Sequence, residues 1–251
     1  MRGAAPKARK GPTRRFSPFF RRPQPGGEMA NCIWLIREMT TPMSRTSYYV
    51  DGFNLYHAIK PLARPELKWL NLHALATSFL GADDRLAEVT YFTAMLMWNA
   101  EKCRRHQAYM DALSAYGVTV VESKFIKSNR FCRQYKRYCN FHEEKQTDVA
   151  LAVKVLRDAH RGLVERAILV TADSDQIPLI REIRESFPTL SVEIAAPPGR
   201  MREARELCSV ASRFSEISAG RLRTCLLPRN VLDEHGRTVA VCPARYLPNP
   251  A

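Results

Sequence analysis

Apolar positions recur along this chain in two rhythms. Short, nearly continuous apolar or β-prone runs fall at 46–50, 86–97, 118–121, 167–170 and 190–195, the pattern of strands buried on both faces of a sheet. Between them the spacing lengthens to three and four. Leu72, Leu75, Ala76, Phe79 and Leu80 predict a helix over 71–80, ended by Gly81. Residues 101–116 suit a helix closed by Gly117, and Glu143–Asp148 opens another that runs to His160 with Val149, Ala152, Val153 and Leu156 as its apolar stripe. Helices follow over 176–185 and 201–208, then an edge element at 210–217 and a strand at 238–241. No internal repeat is present. Strands alternating with helices call for an α/β fold, a parallel sheet with helices on both faces.

Carboxylates interrupt this pattern three times in the same way. After 167–170 come Asp173, Ser174 and Asp175, with Pro178 in the first turn of the next helix, where its missing N–H costs little. After 46–50 come Asp51, Gly52 and Asn54. Asp148 falls in the first turn of the helix that follows the third strand. Each instance alone is explained by capping or by the helix dipole. All three at the ends of parallel strands, where open α/β sheets bind ligands, are not. Four carboxylates brought together must repel, take up protons or share a cation. An all-oxygen set suits Mg²⁺ or Mn²⁺.

Charge changes the picture once it is divided along the chain. The net charge is +14, but residues 1–42 carry nine basic and two acidic side chains, so half the excess lies in that segment. The rest is still basic, although it gathers acidic residues at strand ends. A polyanion on a basic rim, with a metal in an acidic pocket, accounts for both. Residues 123–145 break the helix–strand rhythm and are expected to form a loop. There Lys124, Lys127, Arg130, Arg133, Lys136 and Arg137 interleave with Phe125, Phe131, Tyr135, Tyr138 and Phe141. Such a mixture binds phosphates by charge and stacks unpaired bases; a solvated loop with its aromatics turned inward is the alternative. Cys132, Cys139 and His142 offer three zinc donors at a spacing wider than structural zinc sites use.

Residues 1–42 are rich in Arg, Pro and Gly without periodicity, the composition of a disordered basic segment. It reads as a nucleic-acid arm, a transit peptide or sequence upstream of the true start. The last is favoured, because Met43 leads directly into the first strand after Met29 and Met39. Residues 43–220 are expected to form the main domain and 221–251 an extended or hairpin tail. No apolar run approaches the ~20 residues of a membrane span. Seven scattered cysteines suit reduced thiols in the cytoplasm better than a disulfide framework.

The motifs Tyr49-Val50-Asp51-Gly52-Phe53-Asn54-Leu55, Glu144-Lys145-Gln146-Thr147-Asp148-Val149-Ala150-Leu151 and Thr171-Ala172-Asp173-Ser174-Asp175 resemble, in order and surroundings, those of NYN-domain proteins, including the LabA-like bacterial group. The resemblance spans about 46–217. It implies a Rossmann-like, PIN-type three-layer α/β/α fold with a central, mainly parallel sheet and a divalent metal held by strand-end aspartates for hydrolysis of RNA. By position it implies Asp51, Asp148, Asp173 and Asp175 as metal-binding carboxylates. Asp51 and Asp173 would ligate directly, with the other two completing the cluster. Asn54 would orient an aspartate or contact phosphate, and Lys145 would offset charge or touch the RNA backbone. Ala172 stands where the family often has Gly, and Gln176 where an aromatic is usual; neither change removes a carboxylate. RNA, single-stranded or structured, is the expected partner, and a homodimer is a further candidate. A non-catalytic RNA-binding or regulatory module and a small-molecule phosphatase are the alternatives.

Overall fold

Tyr48 and Tyr49 show how the sheet sorts its neighbours, because successive side chains of a strand point to opposite faces. The structure, a computed structural model, describes residues 44–248, apart from the side chains of residue 128 and residues 140–144. The expected segment 1–42 lies outside the described residues. Strand β1 (Ser44–Asp51) sends Tyr48 and Val50 to one hydrophobic layer and Tyr49 to the other. The strands β2 (Asp84–Ala94), β3 (Thr119–Cys132), β5 (Arg166–Val170), β6 (Ser191–Ala196) and β7 (Arg213–Glu216) join it in parallel, and β4 (Arg137–Lys145) pairs antiparallel with β3. Their order is β4-β3-β2-β1-β5-β6-β7. The six parallel strands therefore reverse their direction of addition between β1 and β5. That reversal opens a crevice at the carboxyl ends of both strands.

Helices cover both faces, giving the expected three-layer α/β fold. The helices α1 (Gly52–Ile59) and α2 (Leu72–Thr77) pack with Tyr48, Val50 and Val170, joined by Leu113 of α3 (Ala100–Ala115). On the other face α4 (Thr147–His160), α5 (Ile177–Ser186) and α6 (Arg205–Val210) cover Tyr49, Leu169 and Ile194. Asn71 caps α2, accepting the Ala74 N–H at 2.9 Å.

Three expectations are corrected. Residues 123–145 are not a loop: β3 continues to Cys132 and returns as β4, turning where Lys136 takes a positive φ of 47°. The dense basic residues conceal the period-two alternation of a two-stranded ribbon. Helix α4 consequently begins at Thr147 rather than Glu143. Its buried face is also rotated from the expected stripe, with Val149 and Val153 exposed while Leu151, Lys154, Val155 and Asp158 are buried. The reason is a charge network. Lys154 pairs with Asp158 and, at 2.6 Å, with Glu88, and the Tyr49 hydroxyl donates to Asp158 at 2.9 Å. A buried charge is tolerated when paired and hydrogen-bonded, and two of these partners, Glu88 and Tyr49, lie on other elements.

Beyond residue 218 the chain continues as α7 (Ala219–Thr224) and an antiparallel ribbon, β8 (Asn230–Leu232) with β9 (Thr238–Val241). It packs on the domain. The Trp69 indole donates to the Pro228 carbonyl at 2.9 Å, and Leu227 N–H to the Trp69 carbonyl at 3.0 Å. Val231, Ala240 and Leu227 share a small core with Trp69 and Ala112 of α3. Among the described residues no helix is long and apolar enough to cross a membrane.

Candidate metal centre

The crevice between β1 and β5 is built from the first turn of α1 outward. Asp51 ends β1 and caps α1, its Oδ1 accepting the Asn54 N–H at 3.0 Å. Its Oδ2 accepts the Thr171 hydroxyl at 3.1 Å, and the same Thr171 oxygen accepts the Asp173 N–H at 3.1 Å. Asn54 in turn accepts the Ala172 N–H at 3.1 Å, which ties α1 to the end of β5. Gly52 allows this approach. A Cβ there would lie 2.6 Å from both the Phe92 carbonyl oxygen and the Tyr91 ring, closer than side chains tolerate.

Asp173 accepts the Asp175 N–H at 3.0 Å across a short 3₁₀ turn, Ser174–Gln176. Asp148 arrives from α4. The preceding residue but one, Gln146, holds φ at 79°, a strained conformation for a non-glycine residue that swings β4 into the helix. No side chain caps α4, and the buried Thr147 hydroxyl has no partner, so capping does not account for this acidic junction. Gln176, almost fully buried, donates to Asp148 Oδ1 at 3.3 Å, while its own Oε1 has no partner.

Four sequence-selected carboxylates thus meet, but not as equals. Oxygens of Asp148, Asp173 and Asp175 all lie within 4.8 Å of one another. Asp51 sits deeper, only 7% exposed, and lines with Asn54, Asp148 and Asp173 a cavity of about 300 Å³. Burial pushes the Asp51 carboxyl up to about 6 against the Asn54 and Thr171 hydrogen bonds, with the Asp148 and Asp173 charges adding to the rise. Asp148 is raised by burial and then by Asp173 and Asp175. Such a set fits a divalent cation: hard oxygen donors, held close, whose like charges raise one another. Sequence reasoning missed the supports Thr171, Gln176 and Gln146, and also Arg200, His57 and Phe53, which line the same cavity.

The basic residues expected to meet RNA, Lys124, Lys127, Arg130, Arg133, Lys136, Arg137 and Lys145, are all exposed along the β3–β4 ribbon. Lys124 stands directly opposite Lys145, a like-charged pair that disfavours the ribbon by itself. The ribbon reaches the cavity through aromatic contacts. Phe125 meets Phe53 edge-on at 5.4 Å and Trp98 at 4.8 Å, and Phe131 meets Tyr138 at 5.5 Å near the exposed tip. The register pairs Cys132 with Arg137, Cys139 with Arg130, and position 142 with Lys127, so positions 132 and 139 share a ribbon face and position 142 belongs to the other. The side chain of His142 lies outside the described residues.

The chain is 26% identical over 253 aligned positions to the 6-hydroxy-3-succinoylpyridine 3-monooxygenase HspA of Pseudomonas putida, covering 85% of this chain and 79% of that protein. A crystal structure of a Vibrio parahaemolyticus protein of unknown function aligns with a TM-score of 0.49 at 18% identity, covering 75% of this chain and 99% of the other. Residues 45–218 match the NYN domain, a span that includes all four aspartates and both faces of the parallel sheet, and the chain belongs to this PIN-like ribonuclease family.

Proposed function

We propose that the chain is a metal-dependent ribonuclease. The observation that supports this reading best is the convergence of Asp148, Asp173 and Asp175 within 4.8 Å beside the deeper Asp51, at the topological switch point of an NYN domain. Mg²⁺ or Mn²⁺ held by these carboxylates would supply charge for the scissile phosphate and acidify an attacking water. The protein's own residues do the rest. Thr171 and Asn54 hold Asp51 and the β5 turn in register, so the carboxylates need no rearrangement to meet substrate. Gln176 fixes one oxygen of Asp148 and leaves the other for ligand or water. Arg200, at the cavity wall, offers positive charge to a phosphate oxygen. The basic ribbon carries the flanking strand, with Phe125 and Phe53 as stacking surfaces next to the site.

The direct experiment incubates the full chain with labelled single-stranded RNA and Mn²⁺ or Mg²⁺, then with EDTA, beside Asp173→Asn protein. The expected result is cleavage that needs the metal and is lost in the variant. Cleavage of equal rate by the variant would overturn the reading. RNA binding without cleavage in any metal would favour the non-catalytic module.

A second reading comes from the Pseudomonas putida relative, whose name describes oxygenation of a pyridine. On this reading the chain acts on a small heteroaromatic compound. One observation favours it: a second cavity of about 300 Å³ on the far side of α1, walled largely by aromatic rings. Oxygen consumption with a reduced nicotinamide donor and pyridine carboxylates, absent from boiled protein, is the corresponding assay.

A further inference from the structure

The second cavity lies between α1, the end of β2 and α3, and shares Phe53 and His57 with the acidic site. Its floor and walls are rings and aliphatic groups: Tyr56, Tyr91, Tyr109, Tyr246, Leu67 and Leu96. Tyr91 meets Tyr109 edge-on at 5.8 Å, and Gly52 leaves room for the Tyr91 ring beneath α1. Tyr246 comes from the C-terminal segment and closes one side, hydrogen-bonded with Arg105 of α3.

Cations converge on the same space. Lys60, Lys68, Lys102 and Arg105 line it, together with His57 and His106, and among the described lining residues none is acidic. Lys68 lies over the rings of Tyr56 at 5.6 Å and Tyr246 at 5.9 Å, so its charge is steered along the aromatic wall. His106 is held by the Thr93 hydroxyl at 3.0 Å, which gives the floor a fixed polar edge. The environment disfavours positive charge there. Burial lowers His106, and burial with neighbouring cations lowers Lys68 and His57. Of these cations Arg105 pairs with Glu101, which does not line the cavity, whereas Arg166 in the sheet meets both Asp84 and Glu193. An apolar cavity with a few convergent polar groups is the usual form of a small-ligand site.

We propose that this cavity binds a planar heteroaromatic ring carrying an anionic group, the ring against Tyr56, Tyr91, Tyr109 and Tyr246 and the anion among Lys60, Lys68, Lys102 and Arg105. The inference stands on the cavity and is independent of the ribonuclease reading; its free-acid form deepens the second reading, which places a heteroaromatic compound in the same cavity. Two sources share this chemistry, a nucleotide of a nucleic acid and a free heteroaromatic acid. The nucleotide would occupy the cavity while its chain continued past Phe53 towards the acidic site.

Calorimetric titration of the full chain in EDTA, which keeps the acidic site silent, tests the assignment with adenosine 5′-monophosphate and pyridine-3-carboxylate as probes. Adenosine and inorganic phosphate serve as half-probes. One site is expected, binding at least one ring-anion probe about tenfold or more tighter than either half-probe, since charge-assisted contacts and ring stacking must act together. Lys68→Gln should weaken that binding about tenfold, and Leu96→Trp, which fills the cavity from a partly exposed position, should abolish it. Asp173→Asn should leave it unchanged, which separates this site from the ribonuclease reading. Tighter binding of the nucleotide assigns the nucleic-acid source, and tighter binding of the pyridine acid assigns the free one. No binding of either probe at millimolar concentration would overturn the proposal, as would binding that survives both Lys68→Gln and Leu96→Trp.

Discussion

Two cavities of similar size flank α1, and their electrostatics are opposite. On one side Asp51, Asp148 and Asp173 crowd together, and burial drives Asp51 and Asp148 upward. On the other, lysines, an arginine and two histidines crowd together, and burial drives His57, His106 and Lys68 downward. The interior of the same domain does the reverse. Lys154 is buried between Glu88 and Asp158, and Arg166 between Asp84 and Glu193. The structural charges Lys154 and Arg166 are held by opposite charges, whereas carboxylates predominate at one cavity, with Arg200 at its wall, and cations at the other, where Arg105 pairs with Glu101 outside the lining. Grouping by sign raises the free energy of the protein alone and lowers that of a complex with an opposite charge, which is the signature of a functional site rather than of a stabilising network. Gly52, under the start of α1, serves both cavities.

The largest effect that would break this comparison is loss of the acidic group. Asp173→Asn is expected to lower metal-dependent RNA cleavage by about 10²–10³-fold, the scale of removing one charge-stabilising group from a preorganised site. Circular dichroism should be unchanged, because the Asp175 N–H keeps an oxygen acceptor in Asn. Retained cleavage would show that the acidic crowding is structural.

Next comes the pH dependence of stability. A carboxyl raised from 3.8 to about 6 binds its proton more tightly when folded. Its contribution to stability is therefore full below the unfolded value and is lost as pH rises from about 4 through 6, by roughly 3 kcal/mol at about 1.4 kcal/mol per unit. The depressed His57 and His106 work in the opposite direction as pH approaches 6.5, so the whole-protein curve mixes the two cavities. The difference between wild type and Asp51→Asn isolates one of them. In EDTA the wild type should lose stability relative to Asp51→Asn between pH 4 and 7, and Mn²⁺ at pH 7 should restore the wild type alone. A flat difference curve in thermal melts would remove Asp51 from the charge cluster.

How far the sequence reveals this arrangement depends on how local each cause is. Strands β1, β5 and β9 and the three acidic junctions follow from neighbours within a few residues, and Thr238–Val241 is read residue for residue. The inward face of α4 is not legible. Lys154 and Asp158 look like solvated charges until Glu88, 66 positions before Lys154, comes into contact. The ribbon is hidden because charge density masks alternation. Thr171 and Gln176 stand inside a recognised motif, yet their role needs the positions of Asp51 and Asp148. The second cavity is the extreme case: Tyr246 joins Tyr56 and Tyr91 only after the C-terminal ribbon has packed on α3.

Gly52→Ala tests the shared support. Its Cβ must displace the Phe92 carbonyl or the Tyr91 ring, an overpacking cost of about 1–3 kcal/mol. Because Tyr91 lines the aromatic cavity and Asp51 the acidic one, binding at both should weaken together in protein that still folds. Loss at one site alone would show that the two are supported separately.

The smallest effect concerns the ribbon, which lies outside both cavities and is expected to add affinity without chemistry. Lys124 and Lys145 face each other across β3 and β4, so removing one charge relieves repulsion within the protein while removing a phosphate contact. Lys124→Gln should therefore leave thermal stability unchanged or slightly raised. It should weaken single-stranded RNA binding a few-fold at low salt and reduce the slope of log K against log salt by about 0.7. The cleavage rate at saturating RNA should not change, because Lys124 is not a cavity residue. Filter binding across a salt series checks all three. An unchanged slope would mean that the strand does not run along this ribbon, and the basic charge would then belong to the aromatic cavity alone.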